Sequence, residues 1–211
     1  MTFQVGPEPT TVATGDVNRD GIPDLLTNAR GGGQFMVLLG YGNGSFRKLP
    51  GVRTGRVPLA IMPADFNNDG NLDVAVTLTF AKMEIFLGSG NGTFKKGETY
   101  LTGSRSLSGV AEDFESDGNI DIALAASSSN SSSVRLFKGN GDGTFSKPKQ
   151  IARDLIPLTL IKMDMNNNGL QDLIFAAGQG DNIYMLFSRG DGTFEKEIAF
   201  SGGGGPIALT A

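Results

Sequence analysis

The chain has 211 residues, a formal net charge of −4 and 31 Gly, and it contains no Cys, His or Trp. Disulfides, zinc sites built from Cys and His, and His-based acid–base catalysis are therefore excluded, and the acidic balance argues against nucleic acid as a partner. No apolar run approaches the length of a membrane span, and the opening MTFQVGPEPT has neither the basic start nor the apolar stretch of a secretory signal, which a mature form or an excised fragment would lack in any case.

Taken in chain order, the same four-part unit recurs. A short apolar strand is predicted first (PTTVATGD, VPLAIMPAD, RSLSGVAED, IPLTLIKMD), and an acidic loop follows it. A second strand leaves that loop (PDLLTNA, LDVAVTLTF, IDIALAAS, QDLIFAAG), and after a variable loop comes a third (QFMVLLG, KMEIFLG, SVRLFKG, NIYMLFS). A Gly-rich turn then leads to a fourth strand opening with Phe46, Phe94, Phe145 or Phe194. The acidic loops begin at Asp16, Asp65, Asp113 and Asp164, a period of roughly 50 residues. Four strands at that period predict an all-β fold, a β-propeller with four-stranded antiparallel blades. The first two strands of each unit are nearly continuous in apolar residues, as strands covered on both faces should be. Helical periodicity is absent.

The expected organisation is one propeller-type repeat domain over residues 1–211. Its units fall near 7–49, 55–99, 103–150 and 154–200, with partial blade strands at 1–6 and 205–211. Residues 2–9 read as a fourth strand left over from a preceding blade, and 205–211 as a first strand whose acidic loop never arrives. This favours a fragment of a larger propeller; the other reading is a small repeat protein that closes by self-association.

The acidic loops, such as DFNNDGNLD, crowd carboxylates where they must repel, which is tolerable if a cation sits among them. In the pattern D-x-[DN]-x-[DN]-G-x-x-D, side-chain oxygens at positions 1, 3, 5 and 9 can converge, Gly at position 6 permits a sharp turn with positive φ, and the carbonyl at position 7 can point inward. Hard oxygen ligands in a flexible loop suit Ca²⁺ better than Mg²⁺. Asp, Asn and Gly also favour ordinary turns, but four occurrences at matching repeat positions exceed what turn preference explains. Up to four Ca²⁺ are expected. The first site uses Asp16, Asn18, Asp20, Asp24 and the Ile22 carbonyl, and the second uses Asp65, Asn67, Asp69, Asp73 and the Asn71 carbonyl. The third uses Asp113, Glu115, Asp117, Asp121 and the Asn119 carbonyl, and the fourth uses Asp164, Asn166, Asn168, Asp172 and the Leu170 carbonyl. With fewest carboxylates the fourth should be weakest, while Glu115 is a methylene longer than its counterparts and fits poorly.

The motifs DFNNDGNLDVAV and GNGDGTF, recurring at this period, resemble the FG-GAP/VCBS repeats of integrin α-subunit-type β-propellers and of many bacterial extracellular proteins. The resemblance covers essentially the whole chain. It implies a propeller with Ca²⁺ in the loop joining the first two strands of each blade, and a role in adhesion, ligand recognition or scaffolding. Family propellers generally have seven blades or so, whereas this chain holds four full repeats.

Antiparallel succession puts the acidic loops and Gly-rich turns on one face, and the variable loops and inter-blade links on the other. The second face carries Arg30, Arg53, Arg56, Lys82, Arg105 and Arg153, a candidate ligand face for an anionic protein or glycan. The tripeptide Arg189-Gly190-Asp191 matches one that integrins read, but it occupies the repeat's turn positions and reads as turn chemistry. The expected function is a calcium-stabilised, non-enzymatic recognition, adhesion or scaffold module, extracellular or periplasmic. The alternatives are a lectin-like, carbohydrate-binding propeller and a non-catalytic part of a secreted hydrolase or lyase.

Overall fold

Alternating Gly-rich turns and β-branched runs build four antiparallel sheets, seen in a computed structural model that describes residues 2–127, 132–153, 155–178, 181–206 and 209. The first blade contains β1 (Val12–Gly15), β2 (Asp24–Ala29), β3 (Gln34–Gly40), β4 (Phe46–Lys48) and β5 (Val52–Arg53), with both β4 and β5 paired to β3. The second contains β6 (Pro58–Ala64), β7 (Asp73–Leu78), β8 (Lys82–Gly88) and β9 (Phe94–Leu101). The third contains β10 (Arg105–Glu112), β11 (Asp121–Ser127), β12 (Ser133–Phe137) and β13 (Lys149–Arg153). The fourth contains β14 (Pro157–Met163), β15 (Asp172–Ala177), β16 (Asn182–Leu186) and β17 (Ile198–Ser201). Among the described residues the only helix is a 3-10 turn at Arg30–Gly32.

The chain divides into two compact units, Met1–Leu101 and Thr102–Ala211, with two blades each. In the first, Leu26, Phe35 and Val37 of one blade meet Ile61, Val74, Val76 and Phe86 of the next. In the second, Phe114, Ala123, Val134 and Leu136 meet Leu160, Leu173, Phe175 and Leu186. The second strands β7 and β15 are buried along their whole length, which explains the apolar runs that follow their leading Asp73 and Asp172.

The repeating Phe is core, as its spacing predicts. Phe94 lies edge-on to Phe35 at 5.5 Å, and Phe194 edge-on to Phe114 at 5.6 Å. The fourth strands differ from the expected pattern. In the third and fourth blades Phe145 and Phe194 form only isolated bridges, to Gly139 and Ser188, and the strand proper starts at Lys149 and Ile198. Pro148 offers no N–H to the ladder just before Lys149, but the fourth blade starts as late with no Pro before Ile198, so proline is not the common cause. Residues 2–11 form no strand; Phe3 and Val5 instead pack against Ala29, Met36 and Leu38. Of the expected C-terminal partial strand, residues 207–208 and 210–211 lie outside the described residues, as do 128–131 of the Ser-rich loop and Asp154.

Candidate metal centre

Each acidic loop is organised by its own oxygens. The Asp16 carboxylate accepts the N–H groups of Asp20 (3.2 Å) and Gly21 (2.8 Å), and Asp20 Oδ1 accepts that of Ile22 at 2.8 Å. The second loop repeats this with Asp65 on Asp69 (3.2 Å) and Gly70 (2.8 Å), and Asp69 on Asn71 (2.8 Å). The third repeats it with Asp113 and Asp117. The fourth repeats it with Asp164, and Asn168 in the fifth position. The third residue joins in three of the loops: Asn18, Asn67 and Asn166 each accept the N–H at position 5, at 3.3, 3.2 and 3.1 Å. Oxygens from positions 1, 3 and 5 are thus drawn over one turn of backbone before any ion is considered.

The backbone provides for this in two places. Gly21, Gly70, Gly118 and Gly169 take φ of 79–86°, as the motif predicts. Position 4 is left-handed as well, in Arg19, Asn68, Ser116 and Asn167, with φ of 55–61°. Asn accepts that region readily, whereas Arg and Ser give no sequence signal of it.

Position 9 behaves differently from the other three. Asp24, Asp73, Asp121 and Asp172 are buried, and each uses both oxygens on backbone donors. One oxygen takes the N–H at position 2 (Val17, Phe66, Phe114, Met165) at 2.9–3.0 Å. The other takes the N–H at the end of the third strand (Gly40, Gly88, Gly139, Ser188) at 2.7–2.9 Å. A Cβ at Gly88 would run into the Leu72 carbonyl, so a side chain there would force the two apart, although the fourth blade makes the same bond from Ser188. Burial pushes the carboxyls of Asp73 and Asp121 up to about 6, against the lowering effect of their two backbone donors, with loop carboxylates adding to the rise. Asp24 is raised by the same burial. Asp69, in contrast, is held below the usual carboxylate range, first by the Asn71 N–H and also by Asn67 and the Arg19 charge.

Among the described residues no three acidic side chains converge as a metal-holding group, because the ninth carboxylate turns inward. The donor chemistry nevertheless fits a hard cation. Three oxygens are gathered above the turn, and each inward carboxylate oxygen keeps a second lone pair. The third loop is the exception. Glu115 leaves the ring of oxygens and pairs with Lys138 of β12's outgoing turn, beside Gly192.

The Gly-rich turns lie against these loops. Gly92 N–H donates to the Val17 carbonyl and Gly192 N–H to the Phe114 carbonyl, so within each unit acidic loop and Gly turn share a face. The turn polar residues are engaged locally: Asn43 with Ser45, Asn91 with Thr93, Asp142 with Thr144 and Asp191 with Thr193. Arg189 donates to the Phe194 carbonyl at 2.7 Å, so Arg189-Gly190-Asp191 is consumed by its own turn.

The predicted basic residues lie at the other ends of the strands. Arg30 opens the 3-10 turn between β2 and β3, Arg53 lies in β5, and Lys82 begins β8. Arg105 begins β10 and Arg153 ends β13. Arg56, in the link to β6, stacks over the Phe80 ring with its guanidinium carbon 5.3 Å from the centroid, a pairing the sequence did not signal. The acidic Glu84 of that region is buried and satisfied by Lys96 (2.5 Å) and the Gly55 N–H (2.9 Å).

Four-stranded antiparallel blades with an acidic loop between their first two strands define a β-propeller repeat protein. The chain belongs to the FG-GAP-like repeat family, whose model matches residues 16–76 and 65–124, together just over half of the chain. Among solved structures it is similar to an Agrocybe aegerita lectin described for specific recognition of non-reducing terminal N-acetylglucosamine, at 19% identity and TM-score 0.61, over 90% of this chain and 51% of that one. It is similar also to BBS1N in complex with ARL6DN, at 13% identity and TM-score 0.64, over 97% and 57% of the two chains. A mutant of AofleA from Arthrobotrys oligospora matches at 12% identity and TM-score 0.59, over 90% and 57%. At these identities the likeness establishes the fold alone, and the chain spans little more than half the length of these proteins. No curated protein matches.

Proposed function

We propose that the chain is a calcium-stabilised recognition module of an extracellular or periplasmic protein, and that it acts by binding rather than by catalysis. The observation that carries this reading is the fourfold repetition of one oxygen-gathering loop, down to the same N–H acceptors at positions 1 and 5. A single active site does not need four copies, whereas a structural ion in each blade does. In the bound state Asp16, Asn18 and Asp20, with Asp24 beneath them, hold the first ion, and the corresponding residues hold the second and fourth. The ion supplies the positive charge that offsets carboxylate repulsion and ties the first two strands together.

Weak sites of this kind suit surroundings rich in Ca²⁺, hence the proposed location. Recognition is assigned to the opposite loops because variable loops on a rigid scaffold are where binding residues concentrate. The fold neighbours include a lectin and a propeller in a protein complex, which makes glycan and protein both reasonable partner classes. The test is calorimetric titration of chelator-stripped protein with Ca²⁺, combined with a melting curve. Saturable binding with a raised Tm supports the reading, and identical melting with and without millimolar Ca²⁺ contradicts it.

A further inference from the structure

The second blade carries an exposed aromatic where the backbone least welcomes one. Phe80 sits at the tip of the β7–β8 turn, 76% exposed, with φ of 64°, and Ala81 follows at φ of 54°. A left-handed backbone disfavours both residue types, and such strain persists where the surroundings enforce it. The equivalent turn of the first blade has a left-handed residue only in the place of Ala81, directly before the third strand, and there it is glycine, Gly33 at φ of 58°. The backbone conformation therefore gives no reason for Phe at this point.

Arg56, stacked on this ring, is held by a loop pinned at every residue. Thr54 N–H donates to the Gly33 carbonyl (3.0 Å) and Gly55 N–H to the buried Glu84 (2.9 Å). The Thr54 hydroxyl donates to the Arg56 carbonyl (2.6 Å), and Thr79 N–H to the Val57 carbonyl (3.0 Å). The backbone that carries the ring and the guanidinium is thus positioned before any ligand arrives, which lowers part of the entropic cost of binding. A stacked guanidinium keeps its N–H edge free for a bidentate anion. Arg53 and Lys82 add positive charge at the same ends of the strands.

We infer that Phe80 and Arg56 form a binding site for an anionic sugar, with a pyranose ring against Phe80 and its carboxylate on Arg56. A uronate presents an apolar C–H face and a carboxylate fixed to the same rigid ring, matching an aromatic ring with a guanidinium 5.3 Å from its centroid. An acidic peptide brings its carboxylate on a flexible stem and loses more freedom. Strand addition by a peptide is unavailable at β7, which is paired on both sides, to β6 and β8. This inference rests on the recognition reading and names its ligand class; calcium takes no part in the contact.

The experiment measures binding of a hyaluronan octasaccharide to the calcium-saturated chain, against its carboxyl-reduced form and poly-L-glutamate. Wild type binds the charged sugar, with affinity falling as salt rises. Arg56→Ser and Phe80→Asn each weaken it roughly tenfold, while Phe80→Asn melts no lower than wild type because Asn tolerates the left-handed turn. Three results overturn the site: no binding of hyaluronan, equal binding of poly-L-glutamate, or affinity indifferent to both substitutions. The calcium-dependent Tm shift, read on the same samples, separates failure of this site from failure of the calcium reading.

Discussion

The Gly92 N–H donates to the Val17 carbonyl at 3.0 Å, joining the Gly-rich turn of the second blade to the acidic loop of the first. Gly192 and Phe114 repeat the bond at 2.9 Å in the other unit. The acidic loop is therefore also a blade-to-blade joint, and whatever orders it stiffens the contact between neighbours. Gly92 stands at φ of 83°, so Gly92→Ala should cost about 1–2 kcal/mol through left-handed strain. Denaturant unfolding checks this, and an unchanged midpoint would show that the joint relaxes freely.

Asp65 serves the loop twice, as acceptor for Asp69 and Gly70 and as a proposed calcium ligand. Asp65→Ala should lower metal-free stability by only about 0.5–1.5 kcal/mol, because the exposed Gly70 N–H turns to water and the Asp69 N–H keeps Asn67 as an acceptor. It should also remove one calcium equivalent from the titration. Loss of stability with the full calcium stoichiometry retained would confine Asp65 to the structural role.

Carboxylate count alone ranks the fourth loop weakest, but the ion pair that holds Glu115 away and adds the Lys138 charge moves the third loop below it, so the third should bind Ca²⁺ least well. Glu115→Asn restores the residue type found in the other three loops and should raise affinity there. A fall in affinity would mean that Glu115 swings back to coordinate the ion.

Acidity separates the metal-free protein from its bound form. Burial pushes the Asp73 and Asp121 carboxyls of the folded chain up to about 6 from the ordinary 3.8, so between these values the folded chain holds more protons than the unfolded one. Their contribution to stability is complete below about 3.8 and is lost as pH rises through about 6. In chelator the Tm should therefore climb as pH falls from 7 towards 5. With Ca²⁺ the slope should flatten or reverse, since protons compete with the ion. A chelator-treated Tm that falls over this range would contradict the assignment.

Much of this was legible in the residues. The acidic loops, the positive-φ Gly at position 6 and the packing of the partly buried Phe94 and Phe194 against the core follow from spacing and turn chemistry alone. Other features depend on partners distant in sequence. Glu115 reads as a ligand until Lys138, on the far side of two strands, claims it. Asp73 reads as one oxygen donor among four, yet its geometry is set by Gly88, which only the folded blade brings near. The left-handed Arg19 and Ser116 give no local signal because the loop's hydrogen bonds, not residue preference, impose that conformation. Phe80 hides for a related reason: an aromatic after β7 reads as the end of a buried strand, and only the turn puts it into solvent.

Calcium in the acidic loops is the central claim, and differential scanning calorimetry of the chelator-stripped chain across a Ca²⁺ series tests it most directly. Binding to the folded state alone should raise stability by about 2.7 kcal/mol for each site at a hundredfold excess over Kd, with Tm climbing continuously as Ca²⁺ increases. Mg²⁺ at the same concentration should raise it far less. A Tm independent of Ca²⁺ up to about 10 mM, well above the roughly 0.1–1 mM Kd range of weak extracellular sites, would contradict the account.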